Sequence, residues 1–411
     1  MNVPKIRFGE FSKEWELTQF SKIASLRRGL TYTPSSIRNM GVRVLRSCNI
    51  NEDTFVISED DVFVTDECVN IAYANDGDIL ITAANGSPRL VGKHCIVRNP
   101  QNEPMAHGGF MLLASSDDSE FLNASMGAAW FSQFQKIGIA GGNGAIGNLN
   151  KHELENYSFH IPADKNERDS IAEYFKNLDS LIEATGKKVA SLKQTKQACL
   201  QQMFPQPGET TPRIRFKGFE GEWEKKQLSD CLNISKETNA DNRYSKEDVL
   251  SVSDEVGVVN QIKYLGRSFA GKSVANYGVL KTGQIVYTKS PLKAKPFGIV
   301  KQNLGESGIV SVLYAIYDAK DEVDAGYIHY YFDPAWRLND YIRPLVNKGA
   351  KNTMNISDET ALEGYITIPT LAEQQQIASF FSNLDKQIAL QEQRLEKLKQ
   401  VKAACLDNMF V

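Results

Sequence analysis

The sequence predicts an α+β protein made of two similar globular domains with short β-strands and helices. They are separated by two long antiparallel helices that form a coiled coil, the whole being an internal pseudo-twofold duplication. Three observations carry this. The chain of 411 residues is written twice, short β-rich runs fill most of each copy, and each copy ends in a proline-free heptad stretch. At roughly 100–200 residues per domain the length suggests two to four domains.

The duplication is read from both ends of the copies. Pro4–Ser21 aligns with Pro212–Ser229 with ten identities in eighteen, including Arg7-Phe8 with Arg215-Phe216 and Trp15-Glu16 with Trp223-Glu224. Ile171–Phe204 aligns with Ile377–Phe410 with sixteen identities in thirty-four. The period is too long for a solenoid, whose repeats run about 20–50 residues. Between the ends the copies diverge around a few anchors: Gly77 answers Gly283, Gly92 answers Gly298, and Ile161-Pro162 answers Ile368-Pro369. A common scaffold with different decoration suits two binding sites for different targets.

Strands are expected at Val42–Leu45, Asp78–Thr82, His94–Val97 and Gly308–Leu313, where apolar or β-branched runs are separated by Gly, Asn, Asp and Pro. Phe121–Lys136 and Gly326–Arg343 read as short helices. The domain boundaries expected are 1–162 for the first domain, 163–204 for its helix, 205–211 for a linker, 212–369 for the second domain and 370–411 for its helix. The linker carries Pro205 and Pro207 and cannot continue a helix.

In the first helix the apolar positions are Ile171, Phe175, Leu178, Ile182, Val189, Leu192, Cys199 and Met203. In the second they are Ile377, Phe381, Leu384, Ile388, Leu395, Leu398, Cys405 and Met409, at the same spacings. This is an a/d seam, so the helices should pack side by side. About 38 residues of helix span about 57 Å. If the helices act as a ruler, four residues added to both should move the domains by about 6 Å. Thr185 and Gln391, and Lys196 and Lys402, interrupt the seam, either fixing register or lying at frayed levels. Gly186 inside the first helix should cost about 1 kcal/mol against alanine and favours a bend.

Composition excludes several classes. With 42% hydrophobic and 24% charged residues the chain is ordinary globular material, and a net charge of −3 excludes a generally basic nucleic-acid coat. No apolar run is long enough for a membrane span, and the first sixteen residues lack a signal-peptide core. None of the six cysteines forms C-x-x-C. A cytoplasmic, reduced, soluble protein is expected.

Charge is segregated locally. Residues 256–305 contain no Asp or Glu but hold Lys263, Arg267, Lys272, Lys281, Lys289, Lys293, Lys295 and Lys301. In the first copy, 27–51 and 79–102 are likewise acid-free and carry arginines. Positive charge interleaved with Ser, Asn, Tyr and Gly reads as a phosphate-tracking surface, while solvated strand edges that use lysine against aggregation are the plainer alternative.

The sequence carries no recognisable catalytic signature. There is no G-x-x-x-x-G-K-[ST] and no H-E-x-x-H, and the five histidines do not cluster with carboxylates. The glycines from Gly138 to Gly147 follow no clear strand. Asp333-Pro334-Ala335-Trp336 lacks the second proline of an amino-methyltransferase signature and reads as a helix N-terminus. An Asp…Glu-x-Lys nuclease pattern is too loose for spacing to decide.

Several motifs do resemble a known family. Arg-Phe-x-x-Phe-x-x-x-Trp-Glu opens each half, Gly77-Asp78-Ile79-Leu80-Ile81-Thr82 lies mid-domain, and Glu373-Gln374-Gln375-Gln376-Ile377 opens a long helix after Ile-Pro. These resemble the DNA specificity subunit of type I restriction–modification systems. The first copy departs from the Glu-Gln pattern, with Glu167-Arg168-Asp169-Ser170-Ile171. The resemblance implies a non-catalytic subunit with two target-recognition domains, each reading one half of an asymmetric bipartite site in double-stranded DNA. It implies helices that dock two methyltransferase subunits and, through them, two restriction subunits. It also implies that S-adenosylmethionine, ATP and Mg are used by those partners and that this chain binds no cofactor and no metal.

Base reading needs side chains that reach the grooves and phosphate contacts that set register. The candidates in the first domain are Arg43, Arg46 and Asn49, in a loop after a strand, then Asn85, Ser87, Arg89 and Lys93, with Asn143 and Asn148 in the glycine-rich turn. In the second they are Ser253, Lys289, Ser290, Lys293, Lys295, Lys348, Lys351 and Asn352, Lys293 and Lys295 being expected on phosphates. The alternatives are a two-headed adaptor that binds proteins, or an autonomous DNA methyltransferase or nuclease.

Overall fold

A computed structural model describes all residues except 1, 2, 100, 102, 141–146, 290–294 and 349–353, and no side chains at 138–140, 347, 348, 354 and 355. The chain divides into two compact units. The first is Met1–Gly186 with Gln393–Val411, and the second is Lys187–Glu392. Each unit therefore contains one globular domain and a portion of both long helices, Lys165–Gln202 and Leu371–Asn408. The first of these helices runs through Gly186 without interruption.

In the first unit a four-stranded antiparallel sheet is ordered His94–Ile96, Ile79–Thr82, Met111–Ser115, Ser25–Arg28. A second sheet joins Met105–His107 in parallel to Val42–Leu45, which pairs antiparallel with Val62–Val64. A ribbon of Glu16–Gln19 with Ser158–Ile161 leads towards the long helix. In the second unit the corresponding sheet is ordered Leu232–Ile234, Ala315–Ala319, Ile285–Tyr287, Val300–Gln302, and the ribbon is Glu224–Gln227 with Tyr365–Ile368. The recurring glycines mark recurring turns. Gly77 and Gly283 both sit at φ 90°, and Gly92 and Gly298 both at φ 84°, a left-handed backbone that a side chain resists.

The strands expected from the sequence are found, with Gly308–Val310 shorter than the run to Leu313. Each expected short helix is instead two. Ser119–Met126 and Ala129–Gly138 are parted at Gly127, and Ala325–Phe332 and Ala335–Ile342 at Asp333-Pro334. Proline has no N–H to donate and disfavours helix in the residue before it. Pro334 is the N-cap of the second of these helices, so the Asp-Pro-Ala-Trp run is a helix start.

The repeated opening motif is a lock between each domain and its helix. In the first unit Arg7 Nε and Nη2 donate to Glu167 at 2.6 and 2.7 Å, and Trp15 Nε1 donates to the same carboxylate at 3.2 Å. The Glu167 side chain is 1% exposed. In the second unit Arg215 grips Glu373 at 2.7 and 2.8 Å. Trp223 is buried too, but its Nε1 has no partner among the described residues. The helix-opening glutamate is thus a buried carboxylate neutralised by a half-buried arginine in both copies, and the glutamine after it in the second copy is a separate tie, Gln374 bonding Asp324 N and Pro369 O.

Within each unit the two helices run antiparallel. In the first, Tyr174 Oη meets Cys405 Sγ at 3.2 Å and Lys402 Nζ pairs with Asp179 at 2.8 Å. In the second, Lys193 pairs with Glu392 at 2.6 Å and Lys196 with Asp385 at 2.8 Å. The seam residues Ile171, Phe175, Leu178, Val189, Ile377, Phe381, Leu384 and Ile388 are buried, while Ile182, Leu192, Leu395 and Leu398 are half-buried. Ile171, Phe175, Ile377 and Phe381 belong to the domain cores as well as to the helix pairing. The cores are completed by residues from the far ends of helices. Phe410 lies among Trp15, Phe121 and Phe175, and Phe204 among Trp223, Tyr327, Tyr331 and Phe381.

The two lysines that interrupt the seam are not frayed. Lys402 also reaches Asp53 at 2.7 Å, and Lys196 also reaches Asp333 at 3.3 Å. Desolvation opposes their charge, but the flanking carboxylates outweigh it and raise both lysines.

Candidate nucleic-acid interface

In the first unit the strand Val42–Leu45 ends at Arg46, which begins a tight turn, Ser47–Asn49. Asn49 Oδ1 accepts from Arg46 N at 2.8 Å, and Asn49 Nδ2 donates to Val56 O and to Asp61 Oδ1. Arg43 donates to Asp61 Oδ2 at 2.7 Å with its guanidinium over the Phe63 ring. Arg43 lies within the strand, not in the loop after it, and its side chain is spent on an internal ion pair. Asn49 is fully buried and holds the turn; it cannot read DNA from there.

Arg46 is what the turn presents. It lines a cleft of about 730 Å³ with Tyr32, Ser47, Cys48, Asn85 and Phe110 among its walls. Its Nη2 donates to Asp60 O at 3.2 Å, and its Nε is buried with no partner among the described residues. Asn85 Nδ2 donates to Ser47 Oγ at 3.2 Å, and Asn85 Oδ1 accepts from Ser87 N at 2.9 Å. Asn148 is exposed one strand away, paired with Ala84. The fold thus gathers Arg46, Asn85, Ser87 and Asn148 at one place. Arg89 is exposed on the following turn, Pro88–Leu90, and Lys93 is half-buried before the strand His94–Ile96. Asn143 lies outside the described residues.

In the second unit several expected contacts turn inward. Lys295, 8% exposed, donates to Asp254 Oδ1 at 2.6 Å and to Asp333 O at 2.8 Å. The phosphate role expected of it is therefore corrected: it is a buried internal cation. Lys301 joins the same cluster through Asp333 at 2.7 Å. Burial would raise the Asp333 carboxyl, but Lys301 and Lys196 hold it well below the usual range. Lys289 is paired with Asp358 at 2.6 Å, so it too is engaged within the chain. Ser253 Oγ accepts from the backbone of Glu255 and Val256, closing the turn between Leu250–Ser253 and Gly257–Asn260. Ser290, Lys293, Lys351 and Asn352 lie outside the described residues, and Lys348 falls in the short strand Asn347–Lys348 with its side chain undescribed.

Other members of the acid-free run are exposed. Lys263, Arg267 and Lys272 are exposed around the helix Gln261–Leu265 and the segment after it, together with Tyr264, Leu265 and Phe269. The acid-free run drew attention to these lysines and the arginine, but nothing in it distinguished exposed members from those with an aspartate waiting in the fold. Among the described residues no three His, Cys, Asp or Glu side chains are placed to hold a metal ion, and no helix is long and apolar enough to cross a membrane.

Comparison with known proteins places residues 220–400 in a family model described as the type I restriction modification DNA specificity domain. The fold is similar over the whole chain to the S subunit of a type I restriction-modification system from M. genitalium, with a TM-score of 0.60 at 11% identity, covering 100% of this chain and 99% of that one. Two further structures match less closely. One is the HsdS subunit from Thermoanaerobacter tengcongensis (TM-score 0.40, 14% identity, 98% of each chain). The other comes from work on complex assembly and conformational transition of the type I R-M system (TM-score 0.47, 13% identity, 96% and 97% of the chains).

Proposed function

Starting from a chain that carries the type I restriction–modification DNA specificity domain on the fold of an S subunit, we propose that it is the sequence-reading subunit of such a complex. Each unit reads one half of a bipartite site in double-stranded DNA. The long helices dock two methyltransferase subunits, and restriction subunits join through them. In this reading the chain is non-catalytic and works in the cytoplasm, and S-adenosylmethionine, ATP and Mg serve the partners.

One observation carries the proposal most. The same scaffold, with its Arg–Glu lock and its paired turn glycines, presents a largely apolar cleft with Arg46, Ser47 and Asn85 in its wall in one unit and an exposed basic and aromatic segment at Lys263–Lys272 in the other. Arg46 has the donors to hold a guanine edge or a phosphate, and Asn85 the donor and acceptor for an adenine edge. Phosphate contacts from the exposed cations would set register and give a steep salt dependence.

The test is to map methylated adenines in a genome carrying this chain with its cognate partners, then repeat with Arg46→Ala and Asn85→Ala. A lost side chain that reads a base costs about 1–3 kcal/mol, so methylation should relax at positions in one half-site only. An unchanged motif would remove the cleft from the reading surface. Duplex binding that ignores both sequence and salt would instead point to a protein-binding adaptor. Methyl transfer by the purified chain alone would overturn the non-catalytic assignment.

A further inference from the structure

In the second unit the helix Gln261–Leu265 ends at Gly266, in a left-handed conformation with φ 76°. The chain then carries Arg267, Ser268 and Phe269 outward. Phe269 is 60% exposed, and Leu265 is 47% exposed. Such exposure of large apolar groups is common singly, but here the backbone that carries the ring is held in place. Phe269 N donates to Gln261 Oε1 at 2.6 Å, and Ser268 Oγ reaches the same oxygen at 3.4 Å. Gln261 is itself tied to Ser251 Oγ at 3.0 Å. The next residue, Ala270, packs against the core formed by Val249, Val274, Val279 and Ile309. The Arg267 guanidinium lies over the Phe269 ring, 4.6 Å from its centroid.

The surroundings select the occupant. Lys263, Arg267 and Lys272 are all exposed, and no acid occurs between 256 and 305. Tyr264 and Lys263 border a neighbouring groove that also contains Asp248 and Glu306, so the uncompromised positive segment is the part from Leu265 onward. An exposed aromatic ring on an anchored backbone, flanked by cations, is complementary to a polyanion with stackable faces. We infer that Phe269, with Leu265 four residues before it, is a wedge that enters a base step of duplex DNA while Arg267 and Lys272 hold the flanking phosphates. The two units then read differently. The first reads base edges with Arg46 and Asn85 at its cleft, and the second selects a sequence that opens readily, a pyrimidine–purine step being the easiest to unstack.

This inference rests on the proposed DNA-reading function, and the experiment separates the two. The full chain with its methyltransferase subunits is bound to duplexes carrying the mapped sequence, with 2-aminopurine at successive steps of each half-site. The proposed function requires sequence-specific, salt-dependent binding, whatever the fluorescence does; without it both ideas fall. The wedge requires a rise in 2-aminopurine fluorescence at one step of one half-site. Phe269→Ala should abolish that rise and lower affinity for the mapped site about tenfold, while non-specific duplex affinity stays nearly unchanged. Phe269→Leu should retain most of the rise. Specific binding with no unstacked step, or a signal untouched by Phe269→Ala, overturns the wedge. So does a Phe269→Ala chain that fails to bind the methyltransferase subunits, which would assign the segment to a protein partner.

Discussion

Replacing Arg7 with alanine removes two short hydrogen bonds from a carboxylate that is 1% exposed. What remains to Glu167 is the single indole N–H of Trp15 at 3.2 Å. Breaking one side of a buried ion pair costs about 3–5 kcal/mol, because the other charge stays desolvated. Against a typical domain stability of about 5–15 kcal/mol, that is enough to raise the opening of the first unit by about two to four orders of magnitude. Amide hydrogen exchange read by mass spectrometry follows this directly, since it reports each unit separately. Exchange in the core strands Ile79–Thr82 and Met111–Ser115 should accelerate by that factor, with the second unit unchanged. Replacing both partners, Arg7→Met with Glu167→Leu, should recover much of the loss, since no charge is then left buried. An acceleration below about tenfold, or a double variant less stable than Arg7→Ala, would refute the reasoning.

Four further outcomes are expected. Trp15→Phe should cost about 1.5–3 kcal/mol more than the loss of ring contacts alone, because it deletes a charge-assisted bond, while Trp223→Phe, whose Nε1 has no partner among the described residues, should be markedly cheaper in the same denaturation assay. Phe410→Ala should destabilise the first unit by about 3–5 kcal/mol and Phe204→Ala the second by a similar amount, each visible as faster exchange in its own unit only. Acid should weaken the first unit well before its carboxylates titrate: burial pushes His94 and His107 down to about 4, so the unfolded chain takes up protons first, near its ordinary value of about 6.5. Stability is then lost as pH falls from about 6.5 to about 4, by at most about 1.4 kcal/mol per pH unit for each histidine, and His107→Gln should flatten the slope measured between pH 7 and 5. Lys402→Met should leave Asp53 and Asp179 facing each other unbridged, so the first unit should lose stability at pH 7 and regain part of it as those carboxylates protonate.

Much of the architecture could be read from the sequence because it is written in periodic or repeated form. The heptad positions, the doubled Arg-Phe and Trp-Glu motifs and the paired glycines each have a local physical cause that survives in a string of letters. The resemblance to specificity subunits likewise rests on residues that the fold uses for the lock, Arg7, Trp15 and Glu167. The interface was less legible. The fold brings Arg46, Asn85 and Ser87 near one another, a grouping that no local spacing announces, while Asn49 and Lys295 look like surface residues until their partners are known. Asp61 lies 12 residues from Asn49, and Asp254 lies 41 from Lys295. No local rule tells a lysine that meets a distant aspartate from one that meets solvent. The run of cations was therefore a correct sign of charge and a poor guide to which members face outward.

The seat of Phe410 among Trp15, Phe121 and Phe175 has a consequence for synthesis. The first unit begins at the start of the chain yet borrows Gln393–Val411, so its core stays open while some 200 intervening residues, 187–392, leave the ribosome. At about 5–20 residues per second that wait lasts roughly 10–40 s. The second unit, continuous from Lys187 to Glu392, has no such gap and can close first. Translation order and order of completion are thus inverted, and the nascent first unit spends that interval with a bare aromatic socket, the stage at which a chaperone would matter most.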